Sequence, residues 1–231
     1  MALPRTLEPE VMDTEEEARD YDAMDHAQVN TRFCDDLLAT RAHTRLGRAL
    51  DVGTGTARIP IELCRRHAGA EVVGIDLAGH MLALGERNVA QAGLEGRIRL
   101  ARVDAKAMRW AGASFDAVLS NSIVHHIPQP QRVLAEMWRL LHPAGLLFVR
   151  DLERPVEAPR VVALVEAYAP LPDAPPPVRA MHQRQRALFE ASLHAALTVD
   201  EVRAMVVPLG IPAEAVQTTS DRHWTLACVK P

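Results

Sequence analysis

The sequence predicts an α/β protein: a doubly wound, mostly parallel seven-stranded sheet with an inserted helical cap after strand five. Three observations predict it. Between residues 45 and 154, short apolar runs alternate with segments of helical period, as in strands joined by crossover helices. The first run ends in Asp51-Val-Gly53-Thr-Gly55 and leads directly into a helical pattern, so a glycine turn brings bare backbone to a strand end. Roughly twenty residues later, a second run, Glu71 to Asp76, ends on a carboxylate.

Thr14 and Glu17 have the spacing of a capping box and open a short helix. Val29, Phe33, Leu37 and Leu38 share one face of a second helix. Arg48 to Val52 reads as strand one and Ile59 to Arg66 as its helix, where Pro60 is tolerated in the first turn. Val72 to Asp76 is strand two, with a helix through Met81, Leu82 and Leu84 after it. Arg97 to Asp104 alternates as a strand, with Ile98, Leu100 and Ala101 inward. Phe115 to Ser120 makes the fourth strand, and its helix ends near His142-Pro-Ala-Gly145 before a fifth strand, Leu146 to Val149.

The prolines within residues 155–177 exclude a continuous helix or a central strand. With a helix through Met181, Leu188, Phe189 and Leu193, residues 155–197 read as a cap over the site. Thr198 and Glu201 open another helix, and Val216 to Thr219 and Trp224 to Val229 close the sheet. The resulting division is an N-terminal helical lid (1–44), a core (45–154), the cap (155–197) and a closing segment (198–231).

The chain of 231 residues is 48% hydrophobic, enough for one buried core with an insertion. A net charge of -4 leaves no basic surplus for a phosphate backbone, which argues against a nucleic-acid partner. Cys34, Cys64 and Cys228 are odd in number, without metal-ligand spacing, so neither a disulfide framework nor a metal site is expected. The acidic first twenty residues lack the apolar core of a secretory signal, and no run reaches bilayer length. The expectation is a soluble cytoplasmic protein of open oligomeric state.

Ligands of such sheets bind beyond the carboxyl ends of the strands. Asp51, Asp76, Asp104, Asn121 and Asp151 fall there. At this point the residues resemble a known family. The pieces are Asp51-x-Gly53-x-Gly55, Asp76, Val103-Asp104-Ala105, Phe115 to Val118, Asn121-Ser-Ile-Val-His-His126 and Leu141 to Gly145. Together, over about residues 45–155, they look like the Rossmann-like core of a class I S-adenosylmethionine-dependent methyltransferase. The likeness is to the small-molecule type related to ubiquinone and menaquinone C-methyltransferases. Ala57 stands at the third glycine of the turn, and Ala144 where the family often has glycine.

The resemblance implies S-adenosyl-L-methionine as cofactor and in-line methyl transfer to a small acceptor. Gly53, Thr54 and Gly55 would approach its methionine part, and Asp76 its ribose hydroxyls. Leu77 would pack on the adenine, while Asp104 and the Ala105 amide would meet its amino group. Asn121 would complete the cofactor side. Arg58, a cation in a helix's first turn, calls for an anion: the cofactor carboxylate or Asp51 itself, unless it is simply exposed.

His125 and His126 follow strand four, and either can serve as a base near neutrality or only pack and orient the loop. Arg150 and His223 are candidates for the acceptor side, against a solvated or packing role for each. Tyr21 and Met24, in Tyr21-Asp-Ala-Met-Asp-His26, are candidate lid contacts on the acceptor side, against a purely structural amphipathic turn. The Asn/Asp-Pro-Pro-Tyr/Phe turn of amino-group methylation and a Pro-Cys nucleophile are both missing, which disfavours those substrates. Two rivals stand beside this reading. One is a nicotinamide-dependent oxidoreductase, which leaves Asp104 and Asn121 unexplained; the other is a cofactor-binding protein without turnover, such as a sensor or partner subunit.

Overall fold

The structure is a computed structural model describing residues 3–9, 11, 13–24, 27–40 and 46–231. Asp25 and His26, from the segment that begins at Tyr21, lie outside the described residues. In chain order the elements are α1 (Glu15–Asp22), α2 (Ala27–Thr40), β1 (Arg48–Val52), α3 (Arg58–Arg66), β2 (Glu71–Asp76), α4 (Gly79–Gln91) and β3 (Ile98–Arg102). They continue with β4 (Phe115–Asn121), α5 (Pro130–Leu140), β5 (Leu141–Leu152), α6 (Ala158–Tyr168), α7 (Pro176–Ala195), α8 (Val199–Val206), β6 (Val216–Thr218) and β7 (His223–Val229).

The seven strands lie in the order β3-β2-β1-β4-β5-β7-β6. The first five are parallel, and β7 runs antiparallel to both β5 and β6. Helices cover both faces, so alternate residues of a central strand enter different cores. Leu50 and Val52 of β1 pack with α5 and α8, whereas Ala49 faces the side of α2 and α3. Along β4 the alternation slips: Phe115 and Val118 share one core across an odd spacing. A register shift between Phe115 and Ala117 accounts for it, since an extra residue flips the face.

Capping boxes start α1 and α8 at Thr14 and Thr198, as their spacing requires. Three places depart from the sequence expectation. Helix α5 stops at Leu140, and β5 begins at once and runs through Pro143, whose irregular start is held by the Ala144 amide donating to Lys230 O at 2.8 Å. Ala144 takes φ 61°, the left-handed conformation glycine favours. Within the cap an additional helix, α6, forms because Pro159 falls in its first turn, where a missing N–H is harmless. Finally, Ile98 and Leu100 face the core on the α3 side, while Ala101 faces the other; an edge strand with a core against each face has no single inward set.

Candidate functional site

A cleft of about 840 Å³ opens at the carboxyl ends of β1, β2, β3 and β4. The strand order reverses between β1 and β4, so their following connections diverge and leave a crevice there. Gly53, Gly55, Asp76, Asp104 and Asn121 line it, and Tyr21 of α1 closes it from above.

The glycine turn is folded onto β2. The amides of Gly53 and Thr54 both donate to Ile75 O, at 2.8 and 2.9 Å, and the Gly55 amide donates to Asp76 Oδ2 at 2.9 Å. Gly53 takes φ 75° and Gly55 φ 51°. A Cβ on Gly53 would stand 2.2 Å from the Ile123 side chain, so only glycine fits under that residue. On Gly55 the nearest atom would be Tyr21 Cε1, 3.7 Å away, so a side chain there would occupy the cleft itself. Thr54 does not line the cleft; its hydroxyl lies over β2, where a Cβ on Gly74 would come within 2.6 Å of it.

Asp76 is held at both oxygens, the second accepting from the Ala78 amide at 2.9 Å. Burial raises its carboxyl above the ordinary range, and the Ala78 and Gly55 amides oppose that rise. Each oxygen retains capacity for another donor. Asp51 stands behind the turn, 1% exposed, and burial pushes its carboxyl up to about 7 despite the nearby Thr54 hydroxyl. Its Oδ2 has no hydrogen-bond partner among the described residues.

At the β3 end, Leu77, Ala105 and Lys106 join Asp104 in the lining. Burial raises the Asp104 carboxyl, but the Lys106 amide at 2.8 Å and its ammonium at 3.0 Å hold it below 3.8. At the end of β4, Asn121 and the following Ser122 line the cleft, with Ser122 at φ 58° and its amide on Arg150 O at 2.9 Å. His126 lines the cleft as well; His125 is buried behind it with Nδ1 on Asp151 Oδ1 at 2.5 Å. Burial and the two acids Asp76 and Asp51 push the Tyr21 phenol up to about 12, so it stays a neutral lid.

Three basic residues expected at the site make their contacts elsewhere among the described residues. Among the described residues the anion facing Arg58 is Asp22 rather than Asp51: Arg58 Nε and Nη2 reach Asp22 Oδ1 at 3.1 and 2.9 Å, and Nη2 reaches Oδ2 at 3.0 Å. Asn88 Nδ2 adds a bond to the same carboxylate at 3.1 Å, so Asp22 ties α1 to both α3 and α4. Arg150 is buried among Asp36 (2.7 Å), Thr225 (3.0 Å) and the rings of Phe33 and Phe148, where a delocalised cation packs well. His223 bonds Ser220 Oγ through Nδ1 at 2.8 Å, and burial pushes its imidazole down to about 4.

Residues 155–197 supply no wall of this cleft. Instead α7 packs beside α1, with Arg184 on Asp20 at 2.9 Å, and a second cavity of about 1070 Å³ lies between the two helices. Tyr21 belongs to the walls of both cavities. Sequence reasoning missed Asp13, which caps α4 from a distance through the His80 amide at 3.0 Å, and Asp22. Acids within a run of acids carry no local signal of which one meets a partner on another element.

A family model described as a methyltransferase domain matches residues 50–149, the stretch that builds the turn, Asp76, Asp104 and the β4 end. A demethylmenaquinone methyltransferase of Deinococcus radiodurans is 34% identical over 173 residues, covering 65% of this chain and 70% of that protein. One from Porphyromonas gingivalis is 32% identical over 155 residues, covering 59% of this chain and 62% of its own length. For a third, from Thermus thermophilus, the matched stretch covers 48% of that protein. The chain thus spans about half to two thirds of the curated relatives it matches. The fold is shared with a putative S-adenosylmethionine-dependent methyltransferase from Methanococcus maripaludis, with TM-score 0.68 and 16% identity over 97% of each chain. On the 34% identity that spans 70% of a relative, and on the matched core, this chain belongs to the class I S-adenosylmethionine-dependent methyltransferases, with its likeness in the menaquinone C-methyltransferase group.

Proposed function

We propose that this protein transfers a methyl group from S-adenosylmethionine to a small-molecule acceptor. The observation that carries the reading is the Asp76 carboxylate, fixed by the Gly55 and Ala78 amides at the cleft wall. The residues present fit the cofactor. Asp51 Oδ2 is a buried acceptor without a donor, Gly55 keeps open the space a Cβ would fill, and Asp76 has spare acceptor capacity for a diol.

When bound, S-adenosylmethionine supplies a methyl group already activated by its positively charged sulfur. Asp76 holds the ribose hydroxyls, Asp104 and the Ala105 amide meet the adenine, Leu77 packs on its face, and Asn121 bounds the β4 side. Asp51, buried behind the glycine turn, would favour the cofactor's ammonium by charge and not by direct contact. Tyr21 excludes water, which strengthens each of these contacts. His126, at the cleft wall, is the group for taking up a proton where the acceptor must lose one, with His125 orienting it. Orientation supplies the larger share of rate enhancement, because alignment alone can lower a barrier by ~7 kcal/mol or more.

The cavity between α1 and α7 gives the acceptor its approach, with Tyr21 as the shared wall. Demethylmenaquinone, named for the relatives, is the first acceptor to try. The experiment is release of S-adenosylhomocysteine with demethylmenaquinone and a panel of phenols, amines and thiols. Cofactor binding with no release on any of them favours the reading of a binder without turnover.

A further inference from the structure

Glu8, His125 and His126 converge on one point that the methyl-transfer reading leaves unexplained. Glu8 Oε1 lies 3.0 Å from His126 Nδ1 and 3.5 Å from His125 Nε2, and the three atoms all fall within 4.8 Å of one another. Each is shut off from water, and none has a well-aligned hydrogen bond among the described residues beyond the close approaches of Glu8 to the two rings. Burial raises the Glu8 carboxyl, but the approach to His126 helps hold it down. The other polar atoms of two of these side chains are engaged. His125 Nδ1 is on Asp151, and Glu8 Oε2 accepts from Ser192 Oγ at 3.3 Å. A histidine anchored by a carboxylate through one ring nitrogen, with the other turned inward, is the arrangement of a metal ligand and its supporting acid.

We propose that Glu8, His125 and His126 bind one divalent transition-metal ion. Two imidazoles and one carboxylate suit zinc or a neighbouring ion, whereas magnesium and calcium take oxygen ligands. Around tetrahedral zinc, ligand atoms about 2.1 Å from the ion lie roughly 3.4 Å from one another. The two shorter separations already bracket that value, and the widest pair closes by no more than about 1.4 Å. The two rings are tilted to one another, with centroids 4.0 Å apart and planes at 35°. The nearby cation, Arg5, directs Nε to the carbonyl of Ala195 and Nη2 to those of His125 and Ile127.

Such an ion joins the N-terminal segment to the loop after β4, across 117 positions that no local motif connects. That distance hides the site from a search for close ligand spacing. Ligation through Nδ1 also leaves the His126 proton on Nε2, so an occupied site and proton acceptance by that ring exclude each other.

The test is calorimetric titration of chelator-treated protein with Zn²⁺, with metal content by mass spectrometry, on wild type, Glu8→Gln and His126→Asn. Circular dichroism establishes folding, and a separate S-adenosylmethionine titration keeps the cofactor reading distinguishable. The proposal expects one ion per chain, affinity at least tenfold weaker in whichever variants fold, and a higher wild-type melting temperature with zinc. Failure of wild type to take up a stoichiometric ion overturns it, as does undiminished affinity in a folded variant.

Discussion

The amide of Gly55 donates to Asp76 Oδ2 at 2.9 Å, which makes the glycine turn after β1 and the acid at the end of β2 a single unit. With φ 51° at Gly55 and its missing Cβ directed at Tyr21, the backbone conformation and the free volume of the cleft depend on one residue. Gly55→Ala therefore carries two penalties. It costs about 1–2 kcal/mol of stability for a side chain in the left-handed region, and its methyl enters the cleft. Urea denaturation and calorimetry with S-adenosylmethionine measure the two separately; an affinity loss of at least tenfold is expected.

The Asp22–Arg58 pair holds α1 over the cleft, partly exposed on both sides, so its contribution to stability is about 1 kcal/mol or less. Asp22→Ala and Arg58→Ala should weaken cofactor binding by similar, few-fold amounts and leave the double variant no worse than either. Both should also raise hydrogen exchange in α1. A loss confined to Arg58→Ala, with Asp22→Ala unaffected, would instead mean that the arginine grips the cofactor.

Asp51 gives a pH signature. Its folded value of about 7 lies above the 3.8 of an ordinary carboxyl, so folding favours the protonated form. The stability it contributes is fully present below pH 4 and is lost as pH rises through 7. Asp51→Asn should thus be more stable than wild type at pH 8, by no more than about 4 kcal/mol. The difference should shrink to nothing near pH 4 in denaturation curves collected across that range.

Ala144 holds φ 61° at an exposed position, so its methyl gives no burial in return for strain. Ala144→Gly should raise stability by about 1 kcal/mol, seen as a rise of roughly 2–4 °C in melting temperature. An unchanged or lower melting temperature would show that the flexibility glycine adds to the unfolded chain cancels the relief.

The cleft was legible in the sequence because its wall is written at strand ends. Asp76, Asp104 and Asn121 fall at strand ends, where period alone places them on one rim, while Asp51 lies buried behind it. The charges were not legible in the same way. A cation at a strand or helix end looks alike whether it faces a ligand or a neighbouring element. The partner of Arg58 is 36 positions away and that of Arg150 is 114. Helix α6 was hidden by its flanking prolines, although Pro159 sits where a helix accepts one. Glu8 gave no signal because its neighbours in space lie beyond β4.

The most direct test of cofactor recognition by this cleft is calorimetric titration of S-adenosylmethionine into wild type and Asp76→Ala. Wild type should bind in the micromolar range, about -8 kcal/mol. Asp76→Ala should lose about 1.5–3 kcal/mol, the worth of hydrogen bonds to a charged group, and Asp104→Ala should lose less, since it removes a single contact with the adenine amino group. Unchanged affinity in a folded Asp76→Ala protein, or no binding by wild type, would contradict the account.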